Sequence, residues 1–332
     1  MLKRRAFLSL SLLFLFGGLM RAWPCDSTVR GQAFVDPRDV HRLCVVADGN
    51  NPEGQKQAAR LEKWLAGPGS EFNAAVVRLD ASDENVNWPD YGIPSAPPDL
   101  PVVMLAGYDR ANRRGFVIAH WEPGPTDEDL ENLRSSPVRE AVAHDIGDRW
   151  AVLLFSPAAD GATSKTQRAI EAITGKWSAE HPPGISVVRL DRSDPRERLL
   201  ASFCGLDPAG PDWLAITFGR CKLMAPPLEG DEITEAALDQ LLSRLIEICS
   251  CLRPPSMMGV DIPMSWEAAR DESVMSLLPP GDAGTSLTIL ARPPVEIPSS
   301  GRPFLAATLT ALGLSAIVVA AGTTAVMRKK QR

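Results

Sequence analysis

VVRLDASD at residues 76–83 and VVRLDRSD at residues 187–194 are one octapeptide with a single difference, and the second copy begins 111 residues after the first. That spacing is the length of one small domain, so the chain reads as an internal duplication. Within each copy VVRL is β-branched and apolar enough for a strand. The Asp and Ser residues that follow favour a turn, because their side chains accept hydrogen bonds from backbone amides two residues on. Asp80 and Asp191 are therefore read as strand-end turn residues in preference to metal or catalytic carboxylates.

Outward from the octapeptide the two neighbourhoods correspond. An apolar strand (43–47; 151–155) and a helical stretch (53–65; 165–177) precede each copy. A Pro-rich loop, a second strand (102–106; 214–218), a short extended segment and a closing helix follow. In the second copy Asp194 is placed to cap a helix with Pro195 at its first position and Glu197 three residues after the cap. The closing helix, from near Asp231, sets Leu238, Leu241, Leu242, Leu245 and Ile248 on one face, a stripe suited to packing on a sheet. The expected class is α/β: two tandem domains, residues 40–147 and 148–252, each with a mixed sheet in the order β-α-β-(α)-β-β-α.

This order resembles the thioredoxin fold. Asp99-Leu100-Pro101-Val102 is similar to the proline-led start of that fold's third strand, where the proline is usually cis. The second copy has Asp212-Trp213-Leu214 there and no proline. Neither copy has the Cys-x-x-Cys that thioredoxins carry after the first strand. The loops read Asp48-Gly49-Asn50-Asn51-Pro52 and Ser156-Pro157-Ala158-Ala159-Asp160, so disulfide exchange at those loops is excluded for want of an attacking thiol. Residues 130–270 also resemble a group of membrane-anchored bacterial envelope proteins, through Phe218-Gly219-Arg220, Cys249-Ser250-Cys251, Gly259-Val260-Asp261 and Trp266-Glu267. That group has no established activity; the resemblance implies fold and compartment.

The ends of the chain bear on location. Lys3, Arg4 and Arg5 precede an apolar run at 6–20, the pattern of a secretory signal, with residues 1–22 as the expected leader. Residues 304–327 are uncharged, and about 24 residues give roughly 36 Å of helix, enough to span a bilayer core. The basic tail, 328–332, stays on the cytoplasmic side by the positive-inside rule, leaving the bulk of the chain on the periplasmic side. A Pro-rich stalk, 253–303, joins the domains to this single span. The chain has no Asn-x-Ser/Thr acceptor, which favours a bacterial envelope. The net charge is -6, and nothing basic enough for nucleic-acid binding appears outside the tail. The expected partners are the membrane and other envelope proteins.

Six cysteines, at 25, 44, 204, 221, 249 and 251, lie in a compartment that permits disulfides. Cys44 sits in an apolar strand and reads as a small buried hydrophobe. Cys249 and Cys251 alone have a functional spacing. In a continuous helix they would point apart, but Pro254 and Pro255 end the helix nearby, and in extended chain residues two apart point the same way. A disulfide or plain packing, a redox pair, and a metal clamp all remain open. A helix C-terminus opposes a thiolate, and Arg253 is the nearby cation in sequence. Met257, Met258 and Met264 add thioethers, the ligand type that with thiolates selects Cu(I). His41, His120, His144 and His181 lack metal-ligand spacing, and no phosphate loop, zincin helix or nucleophile elbow is present. The function expected from sequence is a binding or scaffold protein with catalytically degenerate thioredoxin-like domains. The alternative is a thiol-redox or Cu(I)-handling protein acting through Cys249 and Cys251.

Overall fold

The structure is a computed structural model that describes residues 28–247 and 254–267. Residues 1–22, Cys25, Ile248, Cys249, Cys251, most of the expected stalk, and residues 304–332 lie outside the described residues. Among those described, no helix is long and apolar enough to cross a membrane.

The described residues are mixed α/β with two sheets. After a short helix α1 (Val29–Val35), the first half runs β1 (His41–Ala47), α2 (Pro52–Leu65), β2 (Ala74–Asp80), β3 (Val102–Asp109), β4 (Arg114–Trp121) and α3 (Asp127–Arg134). Its sheet has the order β2-β1-β3-β4, with β1 parallel to β2 and antiparallel to β3, and β3 antiparallel to β4. The second half begins with α4 (Pro137–Asp148) and continues through β5 (Ala151–Ser156), α5 (Ser164–Glu180), β6 (Ile185–Arg189), α6 (Arg198–Phe203), β7 (Trp213–Phe218), β8 (Lys222–Met224), β9 (Leu228–Glu229), α7 (Glu235–Ser243) and β10 (Gly259–Asp261). Its path is β10-β8-β7-β5-β6, with β9 on β7. The repeated octapeptides form β2 and β6, each an edge strand parallel to the first strand of its sheet. Val76 pairs with Leu43 and Val187 with Leu153, so the copies occupy equivalent places. This strand order is consistent with the thioredoxin-like arrangement expected above, and the Leu100–Pro101 bond is cis.

The two-residue period of the strands sorts their side chains onto opposite faces. Leu43 and Val45 enter one apolar cluster and Cys44 and Val46 another. In the second sheet Val152 and Leu154 join the cluster of Leu43, whereas Ala151, Leu153 and Phe155 pack with Ile170, Ile173 and Trp177 of α5 and Leu238, Leu241, Leu242 and Leu245 around α7. One core therefore runs through both halves. Each large side chain removed from water contributes about 1.5–3 kcal/mol before entropy is counted.

Two expectations from sequence are changed by this packing. Residues 137–147 were placed in the first domain, yet Val142, Ala143 and Ile146 of α4 pack with Val152, Leu154 and Val188 of the second sheet. The first half closes instead on α3, whose Leu130 and Leu133 enter the core. Residues 254–267 were assigned to the stalk, but β10 pairs with β8, and Met258, Ile262, Met264 and Trp266 are buried. Prolines at 254, 255 and 263 marked this segment as linker in sequence; burial of its alternate apolar residues is what holds it.

The first helix crosses the other way. Val29 and Ala33 of α1 join the core of the second half, and Arg30 donates to the carbonyls of Arg149 and Trp150 at 2.8 and 2.9 Å. The seat requires glycine at 219, which has φ +57°; a Cβ there would stand 2.4 Å from that of Ala33.

Candidate functional site

Both halves place a hollow at the carboxyl ends of their two parallel strands, the side on which open α/β sheets present ligand crevices. In the second half this cavity is about 600 Å³ and is walled by Pro157, Ala158 and Ala159 after β5 and by Arg189, Leu190 and Asp191 at the end of β6. Its counterpart in the first half, between Gly49 and Asn51 and the repeated Arg78, Leu79 and Asp80, is about 160 Å³. Ligand sites commonly occupy about 300–1,000 Å³, so the second hollow is of ligand size and the first is too small.

The walls of the larger hollow are fixed by two residues that the sequence did not single out. Asp212, just before β7, accepts hydrogen bonds from the amides of Ala158 and Thr163, each at 3.0 Å, and so ties down the loop where a thioredoxin has its thiols. Burial opposes the charge of this carboxylate, but the two amides and the Thr166 and Thr163 hydroxyls outweigh it and hold the group below the usual carboxylate range. Its contribution to stability is thus present above that range and fades as pH falls through the lowered value. Arg192 donates to the hydroxyl and carbonyl of Ser156 and to the carbonyls of Asp207, Gly210 and Pro211, which joins three loops. Arg189 is exposed, with its guanidinium carbon 5.9 Å from the centre of the Phe155 ring, and gives the hollow a cation.

Asp80 and Asp191 are turn residues. Oδ1 of each accepts from the amide and hydroxyl of the serine two residues on, Ser82 and Ser193, and those bonds hold both carboxyls below their ordinary value. Asp194 accepts from the Arg196 amide as the expected cap. Glu197 turns inward: it accepts from the Ser136 hydroxyl at 2.6 Å and the Val138 amide at 2.9 Å, and so caps α4 from another element.

No cysteine among the described residues lines either hollow. Cys44 and Cys221 are fully buried, and Cys204 packs against the shared core. Burial pushes the Cys44 thiol up to about 12 and raises that of Cys204 as well, so neither supplies thiolate at neutral pH. The candidate copper thioethers are dispersed. Met258 packs with the α7 cluster, Met264 lies in the shared core, and Met257 is half exposed. Among the described residues no group of three or more His, Cys, Asp or Glu side chains is gathered as metal ligands would be.

A second polar cluster lies buried where the halves meet. Lys222 Nζ sits 2.6 Å from Asp39 Oδ2 and 3.3 Å from Asp261 Oδ1. The two aspartates also exchange bonds: the Asp39 amide donates to Asp261 Oδ2 at 2.6 Å, and the Asp261 amide donates to Asp39 Oδ2 at 3.1 Å. His41 Nε2 donates to the Asp261 carbonyl at 2.8 Å, and burial drives its pKa down to about 4, so the ring is neutral. Residues 39 and 261 are too far apart in sequence for any motif to have announced this cluster.

No family model matches the chain, and no curated protein does. Among solved structures it is similar to the zinc-bound form of human ERp44, at 11% identity over 65% of this chain with a TM-score of 0.24. It spans just over half, 56%, of that protein. It is also similar to the first two thioredoxin domains of Eps1p from Saccharomyces cerevisiae (10% identity; 62% of this chain, 92% of that one; TM-score 0.23). The same two domains from Naumovozyma dairenensis match at 12% identity over 68% and 98%, with a TM-score of 0.24.

Proposed function

We propose that this chain is a binding or scaffold protein of the bacterial envelope. Two catalytically degenerate thioredoxin-like domains carry it, exported by residues 1–22 and anchored by a span at 304–327, with other envelope proteins as partners. One observation carries the reading: the hollow of the second half, of ligand size, is walled by a loop of Pro157, Ala158 and Ala159 that Asp212 ties down, where a thioredoxin-like enzyme needs its thiols. Such a loop presents shape and hydrogen-bonding groups and offers no nucleophile. Folds outlive their catalytic sites as binding surfaces.

The matching experiment is a thiol–disulfide exchange assay on the full chain, using a disulfide-bonded protein substrate and dithiothreitol. Turnover is expected to stay at the uncatalysed rate. Catalysis that disappears in a variant with Ser at 44, 204 or 221 would overturn the proposal, since it would require one of the buried thiols to act.

A further inference from the structure

The duplication supplies its own comparison for the larger hollow. Arg78 and Arg189 hold the same place in the repeated octapeptide and in the sheets, opposite Val45 of β1 and Phe155 of β5. Both are exposed, and each lines the hollow of its own half. In the first half Arg78 Nη2 lies 2.8 Å from Glu62 Oε1 of α2, so its charge is matched. Among the described residues no carboxylate stands within ion-pair distance of Arg189. Its neighbour is the buried Phe155 ring, 5.9 Å away, where the first half has only Val45. A ring face seats a guanidinium without cancelling its charge.

The single difference between the octapeptides falls on the same wall. Where the first copy has Ala81 the second has Arg192, which lines the larger hollow. Its guanidinium donates to the Ser156 hydroxyl and to four carbonyls, all neutral acceptors, so its charge is held in place and left unmatched. Two guanidinium groups therefore face one carboxylate among the lining residues, that of Asp191, whose Oδ1 is already taken by the Ser193 amide and hydroxyl. Asp212 does not line the hollow, and its oxygens accept from the amides of Ala158 and Thr163. The second hollow thus differs from the first in charge as well as in size.

We propose that this hollow recognises a carboxylate-bearing segment of a partner protein, with an acidic side chain on Arg189 and an adjoining apolar residue against Pro157, Ala158 and Pro208. The guanidinium fork matches a carboxylate with two parallel bonds. The apolar wall favours a protein segment over a bare anion, because the neighbouring side chain gains by leaving water there. This assignment rests on the reading of the hollow as a binding site and names the chemistry of its partner.

The probes are two sets of fluorescent synthetic peptides, capped at both ends so that no terminal charge remains. One set carries a single Glu flanked by Leu, Val, Ile or Phe in all combinations; the other has Gln in its place. Anisotropy titrations against the full chain should show the best Glu peptides binding about tenfold more tightly than their Gln counterparts, the effect of one charge-assisted pair. Arg189→Gln should abolish that preference, and Arg78→Gln should keep it. Equal binding of the two sets, no binding by either, or a preference that survives Arg189→Gln overturns the proposal. So does inorganic phosphate binding as tightly as the best Glu peptide, which would show a bare-anion site. Should Arg189→Gln fail to fold, Arg189→Lys decides: it must weaken the Glu peptides and leave the Gln peptides as they were, and an unchanged Glu affinity overturns the proposal. Equal binding of the two sets would remove the charge assignment and leave the binding reading standing, whereas turnover in the thiol–disulfide exchange assay would remove that reading itself.

Discussion

Lys222→Met is expected to lower the unfolding free energy by about 3–5 kcal/mol at pH 7, because it leaves buried carboxylates without their cation. Lys222 has 4% of its side-chain surface exposed, and Asp39 and Asp261 have 9% and 3%, so water cannot replace the ammonium. Arg110, 3.4 Å from Asp39 Oδ1 and half exposed, compensates only in part. The loss has a pH signature. In the native protein burial raises Asp261; at Asp39 burial also opposes the charge, but Lys222, the Asp261 amide and Arg110 together outweigh it and hold the carboxyl below its ordinary value. Asp39 therefore stabilises the fold above the ordinary carboxylate range and loses that contribution as pH falls. Asp261 has the opposite sign, and its contribution fades as pH rises through its raised value. Without Lys222 both carboxyls should lie above the ordinary range, so the deficit should be full at pH 7 and shrink on acidification toward pH 5. Urea unfolding of wild type and variant at the two pH values measures it; a deficit below 1 kcal/mol at pH 7 would show that the cluster is not an isolated buried triad.

Arg139→Ala should be of similar size, about 3–5 kcal/mol, since a fully buried cation paired through its neighbours is removed. Arg139 donates to the carbonyls of Asn132, Leu133 and Pro263 and to the Ser136 hydroxyl, and that hydroxyl donates in turn to the buried Glu197. Burial lowers the guanidinium to about 10, still charged at neutral pH. Its removal strands several carbonyls, each worth about 1–3 kcal/mol when left unpaired. Arg139→Lys should rescue little, because an ammonium lacks the planar fork that reaches both sides of the α3 end. Amide exchange offers a local readout: protection of Met264 and Ser265, next to the Pro263 carbonyl, should fall more than that of β5.

The contrast between these two sites and the repeat explains what could be read in advance. Strands β1, β2, β5 and β6 and helices α2 and α5 were legible because their signals are local: short continuous apolar runs at 43–47 and 151–155, and a strand closed by an Asp-x-Ser turn that repeats at residues 80 and 191 with the same neighbours around it. Residues 137–147 were drawn into the first domain because nothing in Val142, Ala143 and Ile146 says which sheet their stripe will cover. The 254–267 segment was hidden by its prolines, which mark linkers on average yet leave carbonyls free for Arg38, Asn73 and Arg139 to bind. At the larger hollow the absence of cysteine was plain from the loop sequence. Asp212 and Arg192 were not, because their roles exist only once loops at 158–163, 192 and 207–212 have met.

The central claim is that this fold serves as a binding surface and that its thiols have no chemical task. The measurement that meets it most directly is trapping of the native chain's thiols under mild reductant, followed by Cu(I) competition titration of wild type and of the Cys249→Ser/Cys251→Ser double variant. The account predicts thiols unchanged by mild reductant, and identical titrations for the two proteins with no stoichiometric copper. A Cys249–Cys251 bridge that opens readily, or about one Cu(I) per chain bound by thiolate and lost in the double variant, would contradict it.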